Sequence, residues 1–204
     1  MSSSFIYLAS QSPRRRELLA QIGVPHQVIS ASILEERFAG ESALAYVTRL
    51  SVEKAQAGLN SVKQQGLVHA PVLGADTIVV MTAADGTECV LEKPQDRLHF
   101  VAMMRALSGR THRVMTSVSL VREGEVITKT VETQVTFCCL DDEQIMAYWD
   151  TGEPQDKAGG YGIQGLGSVF ISQLQGSYSA VVGLPLAETA ELLKSWQIAV
   201  WQSV

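Results

Sequence analysis

The first residue whose type and position suggest chemistry is an acid inside an apolar segment. Asp76 interrupts the run from Val72 to Val80, which otherwise has the composition of a buried strand. An unpaired carboxylate buried there would cost several kcal/mol, so it needs a cation, a metal ion or a catalytic role. Gly74 and Ala75 leave room for a ligand or another backbone segment to come close. The alternative is an aspartate at a strand end that faces solvent.

Three consecutive arginines form a second unusual feature. Arg14, Arg15 and Arg16 follow Ser12, a candidate N-cap, and Pro13, which suits the first helical position, so the sequence predicts that a helix starts here. Positive charge in the first turn opposes the helix dipole, and a phosphate chain bound at this helix terminus would neutralise it. A solvated basic turn is the alternative.

A lysine lies on the apolar face of the second predicted helix. Lys54 comes four residues after Leu50 and seven after Val47, so a helical period directs it toward the core. A buried ammonium needs a negatively charged partner. The alternative is that only the aliphatic part of Lys54 is covered while its charge reaches solvent.

Two further segments combine charge with turn-forming residues. Glu92-Lys93-Pro94 lies where a strand ends and a helix begins, and the segment from Glu153 to Gly167 carries Lys157 and Gln164 among five glycines. Glycine loops let the backbone approach a ligand closely. The loop matches neither the dinucleotide pattern nor the P-loop pattern. The alternatives are a surface turn and a flexible loop without function.

Cations and carboxylates in one pocket would bind a polyphosphate with a divalent metal. The cations would hold the phosphates, while the acids would hold Mg²⁺ or Mn²⁺ and activate water. The sequence lacks HExxH, CxxC and G-x-S-x-G patterns, so neither a zinc site nor a serine-hydrolase site is indicated. The residues concerned are the cations Arg14, Arg15, Lys54, Lys93 and Lys157 and the acids Asp76 and either Glu35 or Glu36.

The elements that must position these residues alternate between helical and strand patterns. Helices with at least one long hairpin predict an α/β fold with a mixed sheet. Helices are predicted over 12–23, 42–58, 94–107, 141–152 and 185–196, and strands over 5–9, 71–81, 88–91, 113–122, 126–138, 168–173 and 178–182. Ser42 marks the start of the second helix, and Pro94 and Asp96 mark the start of the third.

Composition places further limits on the protein class. The 204 residues are 46% apolar and 18% charged, with a net charge of −5, which predicts one globular domain with two lobes over 1–204. An acidic chain is a poor candidate for binding nucleic acid, and no apolar run reaches the roughly 20 residues of a membrane span. Three cysteines without a disulfide pattern and no signal at the N-terminus lead us to expect a cytoplasmic protein.

Several motifs in order resemble the Maf family of nucleotide pyrophosphatases over nearly the whole chain. They are Ser10-x-Ser-Pro-Arg-Arg-x-Glu-Leu-Leu, Lys54-Ala55, Gly74-Ala-Asp76-Thr77, Glu92-Lys93-Pro94, Leu107-Ser-Gly-x-x-His112-x-Val-x-Thr116 and Gly176-Ser-Tyr-Ser-x-Val-Val-Gly-Leu-Pro185. One position departs from this pattern: it is Ala180, where many relatives carry asparagine.

The resemblance implies a fold like that of inosine triphosphate pyrophosphatases, with two lobes around a cleft. It also implies hydrolysis of a nucleoside triphosphate to its monophosphate and pyrophosphate, a divalent cation and a homodimer. By motif, Asp76 is the proton acceptor, and Asp76 and Glu35 hold the metal, with a slip to Glu36 left open. The remaining matched positions are catalytic Lys54 and Lys93 and substrate-binding Ser10, Arg14, Arg15 and Lys157.

The glycine loop resembles the branch of the family that hydrolyses dTTP and UTP. In that branch Arg14, Thr77 and Gln164 match specificity positions. A glutamine amide offers both a donor and an acceptor, which matches the edge of uracil or thymine. The alternatives are a modified pyrimidine nucleotide, 7-methyl-GTP as substrate, and a nucleotide-binding regulator of cell division with weak hydrolysis.

Overall fold

The computed structural model describes residues 5–83 and 85–202, which form seven strands and six α-helices. None of these helices combines the length and apolarity that a membrane crossing requires. The absence of an N-terminal targeting signal concerns residues that lie partly outside this range. The elements are β1 (Ile6–Leu8), α1 (Pro13–Gln21), β2 (His26–Val28), α2 (Ala43–Gln64), β3 (Val72–Thr82), β4 (Glu88–Leu91), α3 (Arg97–Leu107), β5 (Thr111–Arg122), β6 (Glu125–Phe137), α4 (Asp142–Asp150), β7 (Ile171–Gln175), α5 (Tyr178–Val182) and α6 (Leu186–Ser195).

All seven strands belong to one mixed sheet, which confirms the predicted α/β class. The order is β2-β1-β3-β5-β6-β7, with β4 paired to β3. β1 runs parallel to β2 and β3, whereas β3 and β4, and β6 and β7, are antiparallel. β2 was not among the predicted strands, because one half-buried and two exposed residues carry no readable hydrophobic period.

The chain divides into two compact units. The first comprises the chain up to Asp76, Thr116–Val131 and the chain from Gly183, and the second comprises Thr77–Met115 and Glu132–Val182. The cleft and the likeness to inosine triphosphate pyrophosphatases stay predictions. Each unit has its own apolar core: Tyr7, Ala9, Ile29, Ala55, Leu59, Val62, Val72 and Val121 in the first, and Phe100, Met104, Phe137, Tyr148, Tyr161 and Phe170 in the second.

Helix starts agree with the residues that predicted them. Ser42 caps α2 by accepting a hydrogen bond from a main-chain N–H, and Asp96 caps α3 in the same way. The predicted end of α2 at Gly58 is wrong, because the helix continues to Gln64. Gly58 lies inside the helix, where a Cβ would come to 2.8 Å from side-chain atoms of both Ala9 and Val72. This glycine serves close packing rather than helix termination.

The predicted strand at 178–182 is also wrong, because these residues form α5. Ser177 lies just before this helix, and its hydroxyl accepts a hydrogen bond of 3.2 Å from the N–H of Ala180. The main chain of Ser177 is itself held by Thr133 Oγ1 at 3.0 Å. The local cap therefore overrides the strand preference of Val181 and Val182.

Candidate active site

The centre of the site in the first unit is a lysine bound to two carboxylates. Lys54 Nζ lies 2.6 Å from Asp76 Oδ1 and 2.9 Å from Glu35 Oε1. The side chains of Lys54 and Asp76 are 11% and 8% exposed, whereas that of Glu35 is 51% exposed. Asp76 is therefore an interior residue of β3, and the ammonium of Lys54 is held by carboxylates instead of reaching solvent.

A glycine allows the helix that carries Lys54 to lie against the strand that carries Asp76. A Cβ on Gly74 would lie 2.5 Å from the carbonyl oxygen of Ser51 and would overlap the main-chain nitrogen of Ala55. Both of these atoms belong to the turn of α2 that carries Lys54. The space beside Gly74, predicted for a ligand or a backbone segment, is therefore filled by the backbone of α2.

Buried hydroxyls provide a second connection between α2 and the sheet. Ser51 Oγ donates to the carbonyl oxygen of Thr48 at 2.8 Å and lies 2.9 Å and 2.7 Å from the hydroxyls of Ser117 and Ser119 on β5. All three serines are fully buried. Hydrogen bonding within this cluster satisfies polar atoms that would otherwise destabilise the interior.

The structure distinguishes Glu35 from its neighbour Glu36. The Glu35 carboxylate contacts Lys54, and the main-chain carbonyl oxygen of Glu35 accepts a hydrogen bond of 3.1 Å from the Tyr46 hydroxyl. The carbonyl oxygen of Glu36 instead accepts a hydrogen bond of 2.9 Å from Arg49. The acid beside Lys54 and Asp76 is thus Glu35, although its role as a metal ligand stays a prediction.

Arg49 organises the segment that carries Glu35, although it was not among the predicted site residues. Its guanidinium binds both carboxylate oxygens of Glu41 at 2.7 and 2.8 Å, contacts Glu53 at 3.2 Å, and lies 3.9 Å from the centre of the Phe38 ring. The hydrogen bonds that Arg49 donates to the Glu41 carboxylate lower the pKa of Glu41 to about 2, and the same bonds raise the pKa of the Arg49 guanidinium. The i, i+4 spacing of Arg49 and Glu53 was the readable signal.

Arg15 belongs to the same charged group. Its Nε donates to the carbonyl oxygen of Gly183 at 2.8 Å, and its Nη1 lies 3.4 Å from Ser10 Oγ. Burial lowers the pKa of Arg15, while the negative charges of Asp76 and Glu35 act in the opposite direction. Arg15 nevertheless stays a cation at neutral pH because the ordinary pKa of arginine is far above that range.

The start of α1 is arranged by Ser10 rather than by the residue predicted to cap it. Ser12 occupies the N-cap position, but its hydroxyl makes no capping hydrogen bond within the described residues. Its N–H instead donates to Ser10 Oγ at 3.2 Å. Arg14 is half-buried in the first turn, whereas Arg16 is exposed.

The remaining predicted site residues lie in the second unit. Thr77 directly follows Asp76 in β3, Lys93 is exposed just before α3, and Gln164 is exposed in the glycine-rich segment. The N–H of Gly159 donates to the carbonyl oxygen of Glu92 at 3.1 Å, which joins this segment to the main chain next to Lys93. The ammonium of Lys157 is bound within its own segment by Glu153 and Asp156.

The glycine-rich segment is more ordered than a flexible loop. It contains three short 3-10 turns, at Glu153–Asp156, Ala158–Gly160 and Leu166–Phe170. Lys157 Nζ donates to the carbonyl oxygen of Glu153 at 2.7 Å and contacts Asp156 at 2.8 Å. Tyr161 lies in the core, where its hydroxyl is 2.7 Å from His112 Nε2. Lys157 therefore has a fixed anchor on the main chain.

The donor atoms of the first unit fit a magnesium or manganese ion that is also bound by substrate. Glu35 and Asp76 direct carboxylate oxygens at the same ammonium, so they are close neighbours. Within 5–83 and 85–202, no group of three or more histidine, cysteine or acidic side chains could hold a metal without substrate. Mg²⁺ typically uses one or two carboxylates together with substrate phosphates, which agrees with this pair.

Comparison with known proteins adds to this geometry. The family model described as "Maf-like protein" matches residues 5–196. A "dTTP/UTP pyrophosphatase" of Saccharophagus degradans is 52% identical over the whole chain and 94% of its own length. A "dTTP/UTP pyrophosphatase" of Shigella dysenteriae is 53% identical over 94% of the chain and 92% of its own length. A "Nucleoside triphosphate pyrophosphatase" of Shigella flexneri is 52% identical with the same coverage. The chain therefore belongs to the Maf family.

Proposed function

We propose that the chain is a nucleoside triphosphate pyrophosphatase that hydrolyses dTTP and UTP to the monophosphate and pyrophosphate. The observation that carries the proposal is the interior carboxylate of Asp76, bound at 2.6 Å by Lys54 beside Glu35. A buried carboxylate with a fixed cationic neighbour is a suitable proton acceptor. The names of relatives that are 52–53% identical supply the reaction and the pyrimidine substrates.

In the proposed reaction, Asp76 accepts a proton from a water molecule whose oxygen attacks the α-phosphorus. The new bond joins this oxygen to phosphorus, and the bond from phosphorus to the bridging oxygen breaks, so pyrophosphate leaves with its electron pair. Lys54 holds the Asp76 carboxylate in position. Charge on the leaving group is offset by the cations Arg14, Arg15, Lys93 and Lys157, and Ser10 orients Arg15.

The proposed cofactor is a divalent cation, Mg²⁺ or Mn²⁺, held by the carboxylates of Glu35 and Asp76. When bound, it supplies positive charge beside the phosphates and acidifies bound water. Two carboxylates supply only part of the ligands that Mg²⁺ requires, and substrate phosphates would supply others. We therefore expect substrate and metal to bind together. Titration calorimetry of the metal with and without a non-hydrolysable UTP analogue would measure this coupling.

Substrate selection is proposed for Arg14, Thr77 and Gln164. Gln164 is exposed, and its amide offers a donor and an acceptor for the O4 and N3–H positions of uracil or thymine. Modified pyrimidine triphosphates share this edge, so they are included in the proposed substrate class. From the family resemblance we further propose a homodimer, a cytoplasmic location and action of residues 1–204 as one Maf domain.

The test is pyrophosphate release from dTTP, UTP, CTP, GTP, ATP and 7-methyl-GTP with Mg²⁺ or Mn²⁺. We expect selective cleavage of dTTP and UTP, and its loss in Asp76→Asn with nucleotide binding retained. Asp150→Asn, which changes an exposed aspartate at the end of α4, is the matched control and should cleave as wild type does.

Three other outcomes would count against parts of the proposal. Preference for 7-methyl-GTP would keep the reaction and reject the role of Gln164. Full turnover in Asp76→Asn would reject that residue as the proton acceptor. Binding of nucleotides without cleavage would favour a nucleotide-binding regulator over an enzyme.

A further inference from the structure

The glycine-rich segment of the second unit is folded around the side chain of Glu153. One carboxylate oxygen accepts hydrogen bonds from the Tyr148 hydroxyl at 2.7 Å and from the N–H of Gly167 at 3.1 Å. The other accepts a bond of 2.8 Å from the N–H of Leu166. A carboxylate has only acceptors, and here it meets three donors.

The glycines of this segment make room for these side chains. A Cβ on Gly165 would lie 2.5 Å from Glu153 Cδ, and one on Gly162 would lie 3.1 Å from Glu153 Oε1. A Cβ on Gly167 would lie 2.6 Å from the Tyr148 hydroxyl. The glycine pattern thus reflects packing against the chain's own carboxylate and phenol.

Gln164 lies in a turn that is attached on both sides. The N–H of Gly165 donates to the carbonyl oxygen of Gly162 at 3.3 Å, which closes the turn around Gln164. On one side, the N–H of Gly162 donates to the Tyr148 hydroxyl at 3.1 Å. On the other side, Leu166 and Gly167 are bound by Glu153. Gln164 is exposed between these attachments.

We infer that Glu153 is a positioning residue for substrate selection, whose carboxylate, with the Tyr148 hydroxyl, holds the turn that presents Gln164 to the pyrimidine base. This inference rests on the proposed function. Burial raises the pKa of Glu153, but hydrogen bonds from Tyr148, Leu166 and Gly167 outweigh it, so the pKa is lowered and the carboxylate is ionised at neutral pH. The ionised form is the one that accepts all three bonds.

Glu153→Gln tests this role with little change in shape. The amide places an NH₂ donor where a carboxylate oxygen accepted, so at least one attachment of the turn is lost. We expect KM for UTP to rise about tenfold and the preference for UTP over CTP to fall about tenfold, the effect of losing one well-placed hydrogen bond. We expect kcat to change less than about twofold, because the carbonyl oxygen of Glu153 that binds Lys157 is retained.

A double-mutant cycle shows whether Glu153 acts through Gln164. Gln164→Ala alone should lower the UTP preference, and adding Glu153→Gln should lower it no further. Glu143→Gln, which changes an exposed glutamate on α4, is the control and should keep the wild-type preference. Tyr148→Phe removes one donor and one acceptor, so it should also weaken the preference. Circular dichroism checks that each variant is folded.

The preference for UTP over CTP is also measured as the ratio of their dissociation constants, using variants that carry Asp76→Asn. Unchanged UTP preference in Glu153→Gln, or losses that add in the double variant, would overturn the inference while leaving the proposed hydrolysis intact. Absence of hydrolysis together with a UTP binding preference that depends on Glu153 would reject the proposed hydrolysis but not the selection of the pyrimidine base, on which the inference depends. A misfolded Glu153→Gln protein leaves Tyr148→Phe to decide, and an unchanged preference there would overturn the inference.

Discussion

Replacing Gly74 with alanine should separate the helix that carries Lys54 from the strand that carries Asp76. The added Cβ would lie 2.5 Å from the carbonyl oxygen of Ser51. Ordinary contact requires about 3.4 Å, so α2 must move outward by roughly 1 Å. The hydrogen bond of 2.6 Å between Lys54 and Asp76 would then exceed the range of a good hydrogen bond.

The two effects of this substitution on stability have opposite signs. Overpacking against rigid backbone costs about 1–3 kcal/mol, whereas alanine lowers the entropy of the unfolded chain and stabilises by about 0.4–1 kcal/mol. The clash is therefore the larger effect, with a net loss of roughly 1–2 kcal/mol. For a chain of this size, this loss lowers the melting temperature by about 2–8 °C.

Scanning calorimetry and pyrophosphate release from UTP would measure both consequences. A displacement of this size in a catalytic group costs up to about a hundredfold in kcat/KM. Gly66→Ala is the matched control because a Cβ there meets nothing within 4 Å, although its φ of +61° makes alanine strained. We expect the control to lose stability, by about 1 kcal/mol, without losing activity.

A normal melting temperature and normal turnover in Gly74→Ala would contradict this prediction, because they would mean that α2 and β3 do not depend on this close approach. Equal losses of activity in Gly74→Ala and Gly66→Ala would also refute it, since the effect would then follow from general destabilisation.

Three further predictions concern polar side chains that stabilise the two units. Arg49→Lys keeps the charge but not the guanidinium fork, so the segment with Glu35 should loosen and turnover of UTP should fall about tenfold with little change in melting temperature. Ser51→Ala removes the central buried hydroxyl and should lower the free energy of unfolding by about 1–2 kcal/mol in denaturant titrations. Burial lowers the pKa of His112 from 6.5 to about 4, so between these values the unfolded chain binds more protons and stability falls as the pH falls. His112→Gln, which can still form a hydrogen bond with Tyr161, should reduce the acid-induced loss of unfolding free energy by at most about 3 kcal/mol. An unchanged dependence of the unfolding free energy on pH would contradict this assignment.

Local signals accounted for most of the fold. Ser42 and Asp96 marked helix starts correctly because capping involves atoms only three residues apart. The segment 178–182 was assigned wrongly because its valines favour a strand, while the cap at Ser177 depends on Thr133, far away in sequence. The end of α2 was placed too early because Gly58 reads as a helix terminator until its neighbours in space are known.

The residues with unusual local environments were also readable from the chain. The apolar run around Asp76 indicated a buried acid, and the helical spacing of Lys54 indicated a buried cation, because both depend on periodicity alone. Their roles in hydrolysis, like those of the other proposed site residues, stay predictions. The sequence also carried the family motifs, which the family model matches over residues 5–196.

Tertiary structure decided which residues are partners. Pairing of Lys54 with Asp76 and Glu35, and the contacts of Arg49 with Glu36 and Glu41, join segments that no local period relates. The glycines near Gln164 read as space for a ligand, yet much of that space holds the Glu153 carboxylate. Periodicity and capping act over a few residues and are written in the sequence, whereas hydrogen bonding and steric fit between distant segments exist only after the chain has folded.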